Sequence, residues 1–433
     1  MADRGMHGIE RKETRPRWRL APLALAMLLP ACATQPPPAP LAPVPAAAAP
    51  AEAREPVTIL VSIDGFRADY LDRGLTPNLS RLAASGVRAA MRPSFPSKTF
   101  PNHYTLVTGL RPDRNGIVDN TMEDARRPGV TFTLGNPRES LDPFWWDEAE
   151  PIWITAERQG VRTATMFWPG SEIAFGDTRP ADWTRYDQNL SEAQRVRSVI
   201  DWLRRPAAIR PRFITVYFDT VDTAGHRFGP DAPETNAAIE GVDARIGELV
   251  AELAELGQPA NLVIVADHGM AATSPDRVVR ISQLVDPAAV HVVTDGPYLG
   301  VRPQPNRENE VAAALLRPHD HVQCWRKAEI PTRFHYGSNP RVPPFYCLAE
   351  TGWLIARDDA QIVPGGTHGY DNDAREMRAL FVASGPAFRQ GVRLETFDNV
   401  DVYSLVARLM GVTPLASDGS LAPLEPALAT PAR

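Results

Sequence analysis

Three short apolar runs are each followed by an aspartate: Asp64 closes Val57–Ile63, Asp222 follows Phe213–Phe218, and Asp267 closes Leu262–Ala266. Runs of this length are strand-sized, and continuous apolar character is what a strand buried on both sides requires. Helix-like stretches separate them. A short helix is predicted over Thr76–Ser85, another over Pro101–Gly109, an amphipathic one over Glu192–Leu203, and a long one over Ala232–Glu255 with Ile239, Val242, Ile246, Leu249, Val250 and Leu253 on one face. Ala164–Phe167 and Leu380–Ser384 read as further strands and Asp401–Met410 as a closing helix. Alternation of this kind predicts an α/β fold, with a largely parallel central sheet and helices on both faces. Ligands in such sheets bind beyond the carboxyl ends of the strands. Three strand-end aspartates therefore converge on one place.

Two of those aspartates come with histidine. Asp222 and His226 are four apart, so one helical turn presents both to a single ion. Asp267-His268 is adjacent and needs a tight turn for both side chains to reach a metal. His368 lies in Gly365-Gly366-Thr367-His368-Gly369, where glycine lets the backbone approach closely. Asp oxygens and His nitrogens suit a borderline cation such as Zn²⁺. Each pair alone has a plain alternative, a surface ion pair or a turn. It is the set that points to metal.

The 433-residue chain has 43% apolar content, enough for one large or two smaller domains, and a formal charge of −6. The first 31 residues carry six basic and three acidic groups, which leaves −9 on the remainder. So acidic a chain has no general pull on nucleic acid. Any phosphate it handles needs cations for local positive charge.

Arg11, Lys12, Arg15, Arg17 and Arg19 precede an apolar stretch, Leu20–Ala31, with the size of a signal-peptide core. It ends Leu28-Leu29-Pro30-Ala31-Cys32, which resembles a bacterial lipoprotein box with Cys32 as the lipidated residue. Plain cleavage near Ala33 is the alternative. Alanine after the cysteine favours the outer membrane by the same resemblance. Residues 32–56 are Pro/Ala-rich and predict an extended tether. The expectation is an exported protein, periplasmic or anchored in the outer membrane of a Gram-negative bacterium. Cys324 and Cys347 remain, and in an oxidising compartment they would form a disulfide; two buried thiols are the other reading. Residues 287–364, rich in proline, arginine and aromatics, break the alternation and predict a small lobe inserted into the catalytic domain, residues 57–415. The tail, 416–433, has Leu421, Leu424 and Leu428 available to dock.

The motifs together carry a resemblance. Ser62-Ile63-Asp64-Gly65-Phe66-Arg67, Pro96-Ser97-Lys98-Thr99-Phe100-Pro101-Asn102-His103, Thr108-Gly109, His226 with Gly229-Pro230, Asp267-His268-Gly269-Met270 and Gly366-Thr367-His368-Gly369 resemble, in order, the nucleotide pyrophosphatase/phosphodiesterase family of bacteria. That family belongs to the alkaline phosphatase superfamily. The resemblance implies two Zn²⁺, one held by Asp222, His226 and His368, the other by Asp64, Thr99, Asp267 and His268. Thr99 would be the nucleophile, Asn120 the phosphate-binding amide, Phe100 and Tyr186 the base-stacking aromatics, and Trp168 a pocket wall. A nucleotidyl-threonine would form and be hydrolysed, releasing a nucleoside 5′-monophosphate. Two Zn²⁺, three aspartates and one alkoxide sum to zero, so a monoanionic diester meets no net repulsion. A lipid-headgroup diesterase of the glycerophosphocholine type and a phosphomonoesterase are the alternative enzymes, and a non-catalytic metal or nucleotide binder the alternative class. A monomer is expected.

Other residues invite roles. Lys98 reads as a phosphate contact or a solvated side chain. His103 reads as a brace for its helix. His319-Asp320-His321 reads as surface, and Trp145-Trp146 as loop packing.

Overall fold

The computed structural model describes residues 53–429. The leader, Cys32 and all but the last residues of the tether lie outside them. Strand β1 is Val57–Ile63, β2 Val87–Arg92, β3 Thr163–Met166, β4 Asp182–Thr184, β5 Phe213–Phe218, β6 Ala260–Val265, β7 Val290–Thr294, β8 Tyr298–Pro303, β9 Val322–Arg326, β10 Phe345–Ala349 and β11 Ala379–Ser384. Helix α1 is Pro77–Ser85, α2 Thr99–Thr108, α3 Ile152–Arg158, α4 Glu192–Leu203, α5 Thr220–Phe228, α6 Pro233–Glu255 and α7 Asp401–Met410.

The central sheet runs β2-β11-β6-β1-β5-β3-β4, with the short pair Val392–Arg393 outside β2. From β6 to β4 every neighbour is parallel. β1 is buried at every position, as a central strand covered on both faces must be. Helices α1, α4 and α5 pack with α6, while α2, α3 and α7 pack with one another.

The sheet is mixed rather than uniformly parallel. β11 runs antiparallel to both β6 and β2. An apolar run reads the same in either direction, so the hydrophobic pattern that locates the strand carries no information about its sense.

Register sets the site. Ser62 lies beside Val265 on one side and Tyr217 on the other, and Ile63 beside Phe218. The carboxyl ends of β1, β5 and β6 are therefore level, and the residues that follow them share one edge of the sheet.

Between β6 and β11 the chain builds a second, four-stranded antiparallel sheet in the order β7-β8-β10-β9. Its strands alternate. Leu299, Val301, Phe345 and Cys347 enter a local apolar cluster, whereas Tyr298, Tyr346 and Leu348 enter the main core. That local cluster draws on residues from Ala271 to Met377, wider than 287–364, because Val278–Arg280 pairs with Leu354–Ala356. Cys324 on β9 faces Cys347 on β10, and a disulfide joins them. In the tail, Leu424 is buried in the main core, with Leu421 and Leu428 packed against it. Among the described residues no helix is long and apolar enough to cross a membrane.

One buried cation ties the loop before β10 to the segments around Gly116 and Trp145. Arg341 is fully buried. Its guanidinium donates to Asp124 Oδ2 at 2.9 Å, to Gly116 O at 2.7 Å and to Trp145 O at 2.8 Å. Asp124 keeps a second partner in Arg126, so removing Arg341 takes a donor from the Gly116 and Trp145 carbonyls rather than stranding a charge. Arg341→Met should therefore cost about 1–3 kcal/mol, read as a lower urea midpoint at unchanged slope.

Candidate metal-centred active site

Asp64 follows β1 and Asp267 follows β6, and a backbone bond locks their relative position: Gly65 N–H donates to Asp267 Oδ1 at 3.2 Å. Asp222 and His226 sit on α5, immediately after β5. His368 arrives at the end of the excursion that builds the second sheet. The short strand Gly365–Thr367 pairs with Ala271–Thr273, just beyond Asp267-His268. The approach is close enough that a Cβ on Gly366 would lie 2.5 Å from the Gly225 carbonyl oxygen, so that position admits no side chain. The His368 ring stacks on His268 with centroids 3.4 Å apart.

All seven residues expected as ligands meet here. His226 Nε2 and His368 Nε2 are 3.1 Å apart, and lie 3.5 and 3.8 Å from Asp222 Oδ1. His268 Nε2 lies 2.9 Å from Asp267 Oδ2, 3.4 Å from Asp64 Oδ1 and 3.3 Å from Thr99 Oγ1.

The donor and acceptor chemistry of this cluster fits a cation. Nδ1 of His226 meets Gly366 O at 2.8 Å, Nδ1 of His368 meets Ser97 O at 2.8 Å, and Nδ1 of His268 meets Gly269 O at 2.9 Å. A carbonyl only accepts, so each Nδ1 carries a hydrogen and each ring turns its Nε2 inward. Facing those nitrogens are Asp64 Oδ1, Asp222 Oδ1 and Asp267 Oδ2, all buried and none with a hydrogen-bond donor. Acceptors gathered without donors are costly unless positive charge sits among them. The carboxyls register this. Burial, with Asp267 and Asp222 beside it, raises the Asp64 pKa well above the usual range, and burial raises Asp222. Burial opposes charge on Asp267 too, yet His268 and His103 hold its pKa well below the ordinary value. Burial, then His268, pushes His368 well down.

Thr99 opens α2, its hydroxyl turned to His268. Helix N-termini favour negative charge through their unpaired amides. One of those amides, Phe100 N–H, donates to Asn120 Oδ1 at 2.9 Å. The Asn120 oxygen is thereby committed and its NH₂ is the end left for an acceptor such as a phosphoryl oxygen. His103 braces the start of the helix. Its Nδ1 meets Thr99 O at 2.9 Å and its Nε2 meets Ser62 Oγ at 2.7 Å, so both ring nitrogens are occupied. Lys98 is not a solvated side chain. It is half-buried, its ammonium lies 5.5 Å from the Tyr298 ring centroid, and burial lowers its pKa. His319 and His321 stay away from the site: His319 meets Ala314 O and Leu315 O, and His321 stacks on Trp353.

Beside Thr99 opens a cavity of about 620 Å³. Phe100, Trp168 and Tyr186 line it, and so do residues that sequence reasoning left out, among them Phe167, Tyr217, Glu172 and Asp219. Trp146 also lines it, while Trp145 packs against Phe132 and Phe144, so the tryptophan pair divides between pocket and core. Trp168 is buried and its indole N–H donates to His103 O at 2.9 Å. Tyr186 is half-exposed and its hydroxyl donates to Asp219 Oδ2 at 3.3 Å. Tyr217 donates to Asp64 Oδ2 at 2.6 Å. The available signal for Tyr217 was its hydroxyl, carried near the carboxyl terminus of a strand whose other polar side chain is Thr215.

Comparison with known proteins agrees with this geometry. The family profile described as type I phosphodiesterase / nucleotide pyrophosphatase matches residues 58–371. Over 376 residues the chain is 39% identical to a bis(5'-adenosyl)-triphosphatase of Xenopus laevis, covering 86% of this chain and 81% of that protein. Over 382 residues it is 37% identical to an uncharacterized pyrophosphatase/phosphodiesterase of Schizosaccharomyces pombe, with coverage of 84% and 78%. A solved structure of murine ectonucleotide pyrophosphatase / phosphodiesterase 5, an inactive threonine-to-alanine variant in complex with AMP, superimposes with a TM-score of 0.83 at 34% identity and covers 87% of this chain and 100% of that one. All three relatives are eukaryotic. The mixed α/β sheet, the level strand ends and this match over most of the chain lead to one conclusion: the protein belongs to the type I phosphodiesterase / nucleotide pyrophosphatase family and is an enzyme of that class.

Proposed function

We propose that Thr99 is the nucleophile of a two-zinc site that hydrolyses nucleotide pyrophosphate and phosphodiester bonds and releases a nucleoside 5′-monophosphate. The observation that carries this reading is the convergence of three donor-less carboxylate oxygens and three inward imidazole nitrogens around the Thr99 hydroxyl. Asp222, His226 and His368 would hold one ion; Asp64, Thr99, Asp267 and His268 would hold the other. When bound, Zn²⁺ supplies Lewis-acid stabilisation of the threonine alkoxide and of charge on the phosphoryl group.

The chain's own residues do the rest. Thr99 Oγ1 forms a bond to phosphorus as the bond to the leaving oxygen breaks, giving a nucleotidyl-threonine. Water then cleaves the threonine ester, regenerates the hydroxyl and releases the monophosphate. Asn120 turns its NH₂ toward the phosphoryl oxygens. Phe100 and Tyr186 flank the base. The murine relative, inactive as a threonine-to-alanine variant and holding AMP, supports both the nucleophile type and the product.

The pocket favours a base over a choline headgroup. Aromatic faces hold a quaternary ammonium as well as a base, so the pocket's acidic groups are what separate the two readings. Asp219 has both oxygens engaged, by Arg195 and by Tyr186. Burial raises the Glu172 pKa, and its Oε1 accepts from Tyr186 N–H at 3.1 Å. The Cys324–Cys347 disulfide and the basic, apolar leader support export, with Cys32 as the anchor of a bacterial lipoprotein.

Three outcomes are expected. Thr99→Ala should lower turnover of a thymidine aryl phosphodiester by at least about 10³-fold while zinc content by mass spectrometry is retained; unchanged turnover removes Thr99 from the chemistry. Chelation should abolish activity, added Zn²⁺ should restore it, and saturating Zn²⁺ should stabilise the folded state by about 4 kcal/mol at a thousandfold excess over Kd, read by melting. Across ATP, a dinucleotide, the thymidine diester, glycerophosphocholine and an aryl monoester, the nucleoside substrates should have the highest kcat/KM; a lead for either of the last two would replace this reading.

A further inference from the structure

Arg195 is a buried cation, 2% exposed, that the chemistry at Thr99 does not use. It lies on α4, on the far side of the pocket wall from the substrate cavity, and is absent from the cavity lining. Its Nε donates to Leu190 O at 3.0 Å, and its Nη1 donates to Tyr217 O at 2.9 Å and to Asp219 Oδ1 at 2.7 Å. Its Cζ lies 5.0 Å from the centroid of the Phe167 ring. One guanidinium thus reaches three residues that line the cavity: Phe167, Tyr217 and Asp219.

Two of those contacts bear on Tyr186. Phe167 sits at φ +65°, a left-handed backbone that costs an aromatic residue energy and persists only where surrounding contacts hold it. Thr215 Oγ1 grips its carbonyl at 3.1 Å and Arg195 covers its ring. The Phe167 ring in turn meets Tyr186 edge-on at 5.2 Å. Asp219, whose first oxygen pairs with Arg195, accepts the Tyr186 hydroxyl on its second. Tyr186 is 43% exposed, so packing alone does not fix its ring. Two of its side-chain contacts, Phe167 and Asp219, are held by Arg195; Glu172 holds only its backbone N–H, and the Tyr217 ring lies farther off at 6.1 Å.

We propose that Arg195 is a positioning residue for base recognition: it sets the ring of Tyr186 through Phe167 and Asp219, and so determines affinity for the nucleoside half of the substrate without touching it. The proposal rests on the reading above that Phe100 and Tyr186 receive a base. A lysine could keep the Asp219 pair but cannot also span Phe167 and the two carbonyls, because its charge is a single point rather than a planar fork.

The test compares two substrates with the same leaving group, thymidine 5′-(p-nitrophenyl phosphate), which has a base, and methyl p-nitrophenyl phosphate, which has none. Arg195→Gln should raise KM for the thymidine substrate about tenfold with little change in kcat, and should leave kcat/KM for the methyl substrate within about twofold. Arg195→Lys should recover part of the KM. Tyr186→Ala, run beside them, should show the same base-dependent loss. Equal losses on both substrates in the Arg195 variants, or no loss on either, would overturn the proposal. Should Arg195→Gln not fold, Arg195→Lys decides by the same criteria. If Tyr186→Ala lowers the thymidine rate selectively and the Arg195 variants do not, the assignment of Arg195 alone fails. If Tyr186→Ala leaves the ratio of the two rates unchanged, the base-slot reading fails and takes this proposal with it.

Discussion

Everything at the catalytic end of this protein follows from a surplus of acceptors. Three carboxylate oxygens without a hydrogen-bond donor and three imidazole Nε2 atoms converge beside the Thr99 hydroxyl. Such a cluster opposes its own formation, since burial and mutual repulsion both work against it. The fold sustains it from outside. Carbonyls at Gly366, Ser97 and Gly269 fix each ring, Tyr217 satisfies one oxygen of Asp64, and a backbone amide satisfies one oxygen of Asp267. These are the outer contacts that orient ligands and leave one face of each open for a cation.

The parts that could be read from sequence are those whose physics is local. An apolar run of six or seven residues is a strand by itself, and β1, β5 and helix α4 fall where periodicity puts them. Six of the seven clustered residues were recognisable because aspartate and histidine gathered after apolar runs are chemically conspicuous; Thr99 was recognisable only through the resemblance of its segment. Phe167, Tyr217 and Asp219 were not. Each resembles ordinary core or turn material, and only the backbone reversal at Phe167 and the register of β5 bring them to the cavity. Lys98 was ambiguous for a related reason: whether a lysine is solvated depends on Tyr298, which is far away in sequence. The sense of β11 was invisible to any pattern of hydrophobicity.

Buried arginine does similar work in two places. Arg341 fastens the second sheet to the segments around Gly116 and Trp145, and Arg195 gathers the wall that carries Tyr186. A planar donor with five N–H groups can satisfy several carbonyls and a carboxylate at once, and it holds irregular backbone that no ladder of strand or helix bonds could reach. The irregular segments that shape the cavity are stiff for this reason.

The excursion between β6 and β11 leaves the central sheet just after Asp267 and His268 and comes back carrying His368. Its two ends therefore clasp the same cluster, and roughly 100 residues hang between them. The entropy of closing so long a loop grows only slowly with its length, about 0.6 kcal/mol for each doubling. The exposed turns of this excursion are free to lengthen in descendants of this chain at small thermodynamic cost, whereas Tyr298, Tyr346 and Arg341 tie its body to the rest of the protein. The stretch from Gly365 to His368 has no such freedom.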